Sequence, residues 1–131
     1  KKPLWRGFAR GMEREKPPRI LVVDDDPDWR EVLRFHLEDM GYEPVEASSG
    51  PEALERMQHE SFPIVLLDMS MPGMDGHEVI SRMPRPLPRI VLLTASDASD
   101  VTETLASGPL YYLPKEAGTE ALSLILGSLH A

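Results

Sequence analysis

The chain has 131 residues, a length that suits one domain with a single hydrophobic core, and it contains no cysteine, which excludes a disulfide framework and a thiolate metal site. Its net charge of −8 is unevenly distributed. Residues 1–19 carry seven basic and two acidic residues, a net charge of +5, whereas residues 20–131 carry seven basic and twenty acidic residues, a net charge of −13. Such an acidic body excludes direct nucleic-acid binding by this domain.

The contrast between the basic N-terminal residues and the acidic remainder also suggests a division of the chain into two parts. Residues 1–18 are predicted to be a basic, flexible extension or linker, because prolines and glycines interrupt them, and contact with an anionic partner is the alternative. The folded domain is predicted over residues 19–131. No apolar stretch approaches the roughly 20 residues of a membrane span, and no secretory signal is visible, so we expect a cytoplasmic protein without membrane insertion.

The predicted domain begins with a buried strand over residues 20–23, which is a continuous apolar run. Asp26 and Pro27 follow it as a predicted N-cap and first helical residue, and Gly41 ends that helix. Residues 43–47 predict a short second strand, after which a second helix opens. The chain therefore alternates strand and helix from its start.

The middle of the chain continues this alternation. Ser49 precedes a glycine and a proline that open the second helix, and residues 64–67 form another apolar run that ends on Asp68. Residues 69–76 are rich in helix and strand breakers and predict a turn. A short helix follows, and it ends at three closely spaced prolines because proline cannot continue a helix: Pro84, Pro86 and Pro88.

The last third of the chain predicts two further strands and two further helices. Residues 90–93 form a strand that ends on Thr94, residues 99–106 are predicted to be helical, and a fifth strand leads into Lys115. The last helix is predicted to be capped by Thr119. Five strands alternating with five helices predict an α/β fold, a doubly wound parallel sheet with helices on both faces.

Polar side chains follow the apolar runs at the point where each strand ends. Asp24 and Asp25 follow the first strand, and Asp68, Thr94 and Lys115 follow the third, fourth and fifth strands. Because ligands of open parallel sheets bind outside the carboxyl ends of the strands, we expect these groups to converge. Carboxylates, a hydroxyl and an ammonium group together would hold a divalent cation and a phosphoryl group.

Four motifs in this order resemble the receiver domain of two-component response regulators, of the chemotaxis-regulator type. They are Ile-Leu-Val-Val-Asp-Asp-Asp-Pro-Asp-Trp-Arg at 20–30, Asp-Met-Ser-Met-Pro-Gly-Met-Asp-Gly at 68–76, Leu-Thr-Ala-Ser at 93–96 and Tyr-Leu-Pro-Lys at 112–115. The resemblance extends over about residues 19–130. It implies a flavodoxin-like strand order of 2-1-3-4-5, for which such a domain is a known example.

The resemblance implies a magnesium site. Asp25, Asp68 and the backbone carbonyl of Ser70 would be ligands, and Asp24 would act through water. A partial cage of this kind suits Mg²⁺, which keeps several waters and takes only one or two carboxylates. For Asp26, in contrast, the helix cap is the preferred interpretation.

The resemblance also implies that Asp68 is the phosphoacceptor, forming an aspartyl phosphate. Lys115 and Thr94 would contact phosphoryl oxygens, and Thr94 and Tyr112 would form the conformational switch, although Tyr112 also suits a half-buried strand position. The donor would be a histidine kinase or a phosphotransfer protein, and homodimerisation stays open. The domain would catalyse only its own phosphorylation and dephosphorylation.

Three other interpretations of these residues compete with the receiver domain. An EF-hand fails because Trp29 and Phe35 stand where its loop requires glycine and glutamate. An aspartate-based phosphatase fails because Ser70 occupies the position of the general acid two residues after Asp68. A pseudo-receiver, a protein-interaction module of the same fold that is never phosphorylated, stays as the second hypothesis.

The sequence departs from the family pattern after the fifth strand. Glu116 follows Lys115 where the family has proline, and since a cis bond without proline costs about 2.5–4 kcal/mol, we expect a trans bond and a re-routed loop. The segments between Gly76 and Thr94 and between Thr94 and Lys115 are also shorter than usual. These departures bear on the surface around the last strand and helix more than on the site.

Overall fold

The computed structural model describes residues 17–94 and 110–129, except for the side chains of Leu110 and Glu116. The helix predicted over residues 99–106 therefore lies outside the described residues. Of the predicted basic extension, only residues 17 and 18 are described. Within the described ranges, no helix has the length and apolar character that crossing a bilayer would require.

Five parallel strands form one sheet in the spatial order 2-1-3-4-5, numbered along the chain, which confirms the predicted fold class and strand order. The first, third and fourth strands along the chain coincide with apolar runs, because a strand covered on both faces must be apolar at successive positions. Their bounds are β1 (Arg19–Val23), β2 (Glu43–Ala47), β3 (Ile64–Asp68), β4 (Arg89–Thr94) and β5 (Leu110–Pro114).

Four α-helices and one 3-10 turn are described, and they are α1 (Pro27–Asp39), α2 (Gly50–His59), α3 (Gly76–Arg82), the turn Lys115–Ala117 and α4 (Gly118–Leu129). The predicted cap of α1 is confirmed, because the Asp26 side chain accepts the Asp28 amide of the first turn. Ser49 caps α2 in the same way by accepting the Glu52 amide. The predicted cap Thr119 is wrong, because Thr119 lies inside the last helix. Gly118, with a φ of +84°, ends the 3-10 turn and begins α4.

The helices cover both faces of the sheet and create two cores. Leu21 and Val23 of β1 pack with residues of α2 and α3, whereas Ile20 and Val22 pack with residues of α1 and α4. All four side chains are fully buried. This alternation follows from the period of two in a strand, and it makes β1 a central element of the fold.

Close packing brings α3 against the end of β3. A Cβ atom on Gly76 would lie 3.0 Å from the Met69 Cα atom and 3.3 Å from the Asp68 carbonyl oxygen. A Cβ atom on Gly50, at the start of α2, would lie 2.8 Å from the Val79 Cγ2 atom of α3. Glycine at both positions therefore lets α2 and α3 approach the residues that follow β3.

The strand register aligns the ends of β1, β3, β4 and β5. Val23 is paired with Leu67, and Asp68 is paired with Leu93. Thr94 is in turn paired with Pro114, the residue before Lys115. The polar residues that follow the strands therefore lie along one edge of the sheet, as the sequence predicted.

Candidate functional site

Three carboxylates gather at the carboxyl edge of the sheet. Asp24, Asp25 and Asp68 can each present one oxygen such that the three oxygens lie within 4.8 Å of one another. Asp24 and Asp68 are almost completely buried, with 0% and 2% of their surface exposed, whereas Asp25 is exposed. The cluster is therefore open to solvent on the side of Asp25, and its hard oxygen donors suit a cation such as Mg²⁺.

The loop between β1 and α1 gives each of its three aspartates a different environment. The Asp24 amide donates to the Ala47 carbonyl (3.1 Å), which extends the pairing of β1 with β2. The Asp24 carboxylate accepts from the Asp26 amide (2.9 Å), and the Asp26 carboxylate accepts from the Asp28 amide (3.0 Å). Asp26 thus acts as the cap of α1, as predicted, and it is not one of the clustered carboxylates.

Lys115 reaches the cluster from the 3-10 turn that follows β5. Its Nζ atom lies 2.9 Å from Asp24 Oδ2 and 3.3 Å from Asp68 Oδ2. The 3-10 turn after β5 therefore delivers the ammonium group to Asp68. The closer contact with Asp24 was not predicted, because no sequence pattern shows which carboxylate a lysine side chain will approach.

Burial and the neighbouring charges shift the pKa values of Asp24 and Lys115. Burial raises the pKa of Asp24 above its ordinary value of 3.8, and the neighbouring Asp68 acts in the same direction, while the Asp26 amide and Lys115 oppose it. Burial by itself lowers the pKa of Lys115, but the two carboxylates together outweigh it and raise that pKa above 10.5. In the absence of metal, Lys115 is thus the counter-charge of the cluster.

Two buried oxygens of the site have no hydrogen-bond partner among the described residues. They are Thr94 Oγ1 and Asp24 Oδ2, but Asp24 Oδ2 forms an ion pair with the Lys115 ammonium group at 2.9 Å. Buried polar atoms are normally satisfied, so the Thr94 hydroxyl is the one that is available to a further group. Together with the carboxylate donors, it makes the site suitable for a hydrated divalent cation and a phosphoryl group.

The remaining predicted site residues lie close to this edge of the sheet. The Ser70 amide donates to Asp68 Oδ1 (3.0 Å), so the turn after β3 folds back over the Asp68 side chain. Tyr112 of β5 is half-buried and packs against the core that contains α2 and α3. The ligand role of the Ser70 carbonyl and the switch role of Tyr112 stay predictions.

The sequence model of the response regulator receiver domain matches residues 20–126. The chain belongs to this family. The receiver domain is thus a component of two-component signal transduction, and its matched region contains nearly every residue of the described strands and helices.

Individual relatives support the same membership. The receiver domain is 43% identical to an uncharacterised 14.6 kDa protein of Leptolyngbya boryana over 101 residues, covering 73% of this chain and 77% of that protein. It is 34% identical to the sensor protein GacS of Pseudomonas syringae over 119 residues, which are 85% of this chain but only 13% of GacS.

A solved structure agrees with the fold. The response regulator protein TrrA from Thermotoga maritima, in complex with Mg²⁺ and BeF, is 36% identical to this chain. It superposes with a TM-score of 0.74, covering 86% of this chain and 98% of TrrA.

Proposed function

We propose that this receiver domain accepts a phosphoryl group on Asp68 from a histidine kinase or a phosphotransfer protein. The observation that carries the proposal is the position of the Asp68 carboxylate. It is buried beside the carboxylates of Asp24 and Asp25, and its Oδ2 atom lies 3.3 Å from the Lys115 ammonium group. The likeness to part of a sensor protein supports a kinase as the partner.

In the proposed step, a carboxylate oxygen of Asp68 attacks the phosphorus of a phosphohistidine. The phosphorus–oxygen bond forms, the phosphorus–nitrogen bond breaks, and the departing imidazole keeps the electron pair and takes a proton. Asp68 is oriented for this attack by the Ser70 amide and by Lys115. Such transfer depends mainly on positioning and on charge neutralisation.

Asp24, Asp25, Asp68 and the Ser70 carbonyl are the groups that would hold Mg²⁺. When bound, Mg²⁺ supplies positive charge that offsets the repulsion between the carboxylates and the phosphoryl oxygens. The likeness to TrrA, which was solved with Mg²⁺ and BeF, supports this assignment. Lys115, whose Nζ atom lies 3.3 Å from Asp68 Oδ2, contributes a second positive charge.

Phosphorylation would then change the conformation through Thr94 and Tyr112. The Thr94 hydroxyl is buried and has no partner among the described residues, so a phosphoryl oxygen on Asp68 would offer it an acceptor. A movement of Thr94 toward that oxygen changes the space around β4 and β5, where Tyr112 lies. A two-state equilibrium is biased in this way when a ligand contacts one state better than the other.

Acetyl phosphate with Mg²⁺ tests the proposal by intact-mass measurement. We expect the wild-type protein to gain the mass of one phosphoryl group and the Asp68→Asn variant to gain none. Chelation of Mg²⁺ should suppress the gain in the wild type. Undiminished phosphorylation of Asp68→Asn would overturn the assignment of the acceptor, and a wild type that stays unmodified by acetyl phosphate and by phosphorylated kinases would favour the pseudo-receiver.

A further inference from the structure

One side chain outside the carboxylate cluster holds the backbone from which the cluster projects. Arg30, on α1, donates from Nη1 to the Asp24 carbonyl oxygen (2.6 Å) and from Nε to Glu46 Oε1 of β2 (3.0 Å). Its side chain is only 17% exposed. The guanidinium group therefore joins α1, β2 and the loop after β1 in one place, using its planar set of donors for two acceptors at once.

The carbonyl that Arg30 contacts belongs to the peptide unit between Asp24 and Asp25. A trans peptide unit is planar, and its C=O and N–H groups point in opposite directions. Fixing the carbonyl toward Arg30 therefore also fixes the amide and the Cα atom of Asp25. The Asp24 amide is held independently by Ala47 and the Asp24 carboxylate by the Asp26 amide, so Arg30 adds a further restraint on this turn.

We propose that Arg30 is a positioning residue of the cation site, and that it aims the exposed Asp25 carboxylate by holding the Asp24–Asp25 peptide. This inference rests on the proposed function, because it names a determinant of the same site. Arg30 would touch neither the cation nor the phosphoryl group. Outer groups that orient ligands commonly influence metal affinity about tenfold or more when they are removed.

The direction in which the Mg²⁺ affinity changes when Arg30 is replaced separates a positioning role from a purely electrostatic one. Arg30 carries a positive charge near a cation site, so its replacement by a neutral residue would, by Coulomb's law alone, strengthen Mg²⁺ binding. Loss of the peptide restraint would instead weaken it. Arg34 offers a matched control, because it approaches the same Glu46 (3.8 Å) from the same helix. Its recorded ion pairs are with Glu31 and Glu46 and do not involve Asp24.

The experiment measures Mg²⁺ affinity by calorimetry for the wild type and four variants: Arg30→Gln, Arg30→Lys, Arg34→Gln and the double variant Arg30→Gln/Glu46→Gln. We expect Arg30→Gln to bind about tenfold more weakly, and the double variant, which keeps the net charge of the wild type, to bind as weakly. Arg30→Lys should also bind more weakly, since an ammonium group is a single point charge and cannot reproduce both contacts. Arg34→Gln should bind like the wild type or slightly more tightly.

Thermal unfolding of each variant without metal shows whether it is folded at the temperature of the titration. If Arg30→Gln does not fold, Arg30→Lys against Arg34→Gln decides the question. Equal affinities of the Arg30 and Arg34 variants, or tighter binding by Arg30→Gln, would overturn the positioning role. A wild type that binds no Mg²⁺ would instead overturn the proposed function together with it, so the two failures are distinguishable.

Discussion

Asp24 illustrates how a site for a charged ligand affects the protein that carries it. Its side chain is fully buried, it accepts one backbone N–H group, and its second oxygen is left without a hydrogen bond. Ionised groups in such surroundings are costly unless they are paired. Lys115 provides partial compensation, and the ionised cluster should therefore reduce the stability of the metal-free protein.

The raised pKa of Asp24 predicts a pH-dependent loss of stability. The folded protein holds the proton of the Asp24 carboxyl more tightly than the unfolded chain, in which the pKa of Asp24 is 3.8. The resulting contribution to the free energy of unfolding is full below pH 3.8 and is lost as the pH rises through the pKa of the folded protein. Asp24→Asn removes the titration. We expect its thermal midpoint, measured in a chelator, to exceed that of the wild type by more at pH 7 than at pH 4. A difference that does not change with pH would contradict this explanation.

Asp25 and Asp26 are adjacent, yet we predict different consequences for their substitution. Asp25→Asn should weaken Mg²⁺ binding strongly, because Asp25 belongs to the carboxylate cluster, whereas Asp26→Ala should cost about 1 kcal/mol of stability through loss of the helix cap. The fluorescence of Trp29 can follow both metal titration and unfolding if Trp5, the other tryptophan, is replaced in all variants. Equal losses of metal affinity in the two variants would refute the division of roles.

At the scale of the elements, the approach of α3 to the end of β3 is what shapes the turn beside Asp68. The turn returns over the Asp68 carboxylate through the Ser70 amide, and it then enters α3 at Gly76. The Asp75 side chain caps this helix by accepting the Glu78 amide (3.0 Å). The conformation of the acceptor loop thus depends on how closely a neighbouring helix can pack.

This dependence predicts opposite effects of alanine at two helical glycines. Gly76→Ala should destabilise the protein by about 1–3 kcal/mol, because its Cβ atom would crowd backbone atoms of Met69 and Asp68 that cannot easily move. Gly127→Ala, in α4, meets nothing within 4 Å and should stabilise by about 0.5–1 kcal/mol through helix propensity. Urea unfolding measures both. Destabilisation of the same size at both positions would show that crowding at Gly76 is not the cause.

At the scale of the whole molecule, the basic extension and the acidic domain are distinct in composition. The described contacts of the domain begin at Pro18, whose carbonyl accepts the Glu43 amide (2.9 Å), and continue at Arg19, which forms ion pairs with Glu43 and Glu60. The first interactions that join the ends of β1 and β2 therefore begin at Pro18, the last residue of the predicted extension.

Two truncations test this boundary. Removal of residues 1–17 should leave the thermal midpoint and phosphorylation by acetyl phosphate unchanged, because the segment has no periodic apolar face. Removal of residues 1–19 should lower the midpoint, because it deletes Pro18 and Arg19 and their bonds to β2 and Glu60. A marked loss of stability in the shorter truncation would show that the extension packs on the domain.

Much of this architecture was predictable because its signals are local. The apolar runs of β1, β3 and β4 are buried on both faces, and Asp26 and Ser49 cap helices through bonds to residues two or three positions away. Strand ends that carry polar residues predicted the edge at which the site lies. Each of these signals depends on neighbours in the chain, which the sequence displays directly.

What the sequence by itself determined is therefore the order of elements, the family and the group of residues at the site. Only the tertiary structure decided that Asp24 is buried while Asp25 is exposed, that Lys115 lies closer to Asp24 than to Asp68, and that Arg30 joins the Asp24 carbonyl to Glu46. Lys115 is far from both aspartates in the chain, and Arg30 contacts residues 6 and 16 positions away. The geometry of these contacts depends on how helices and strands pack, and long, flexible side chains such as lysine and arginine can reach several partners, so no local pattern selects among them.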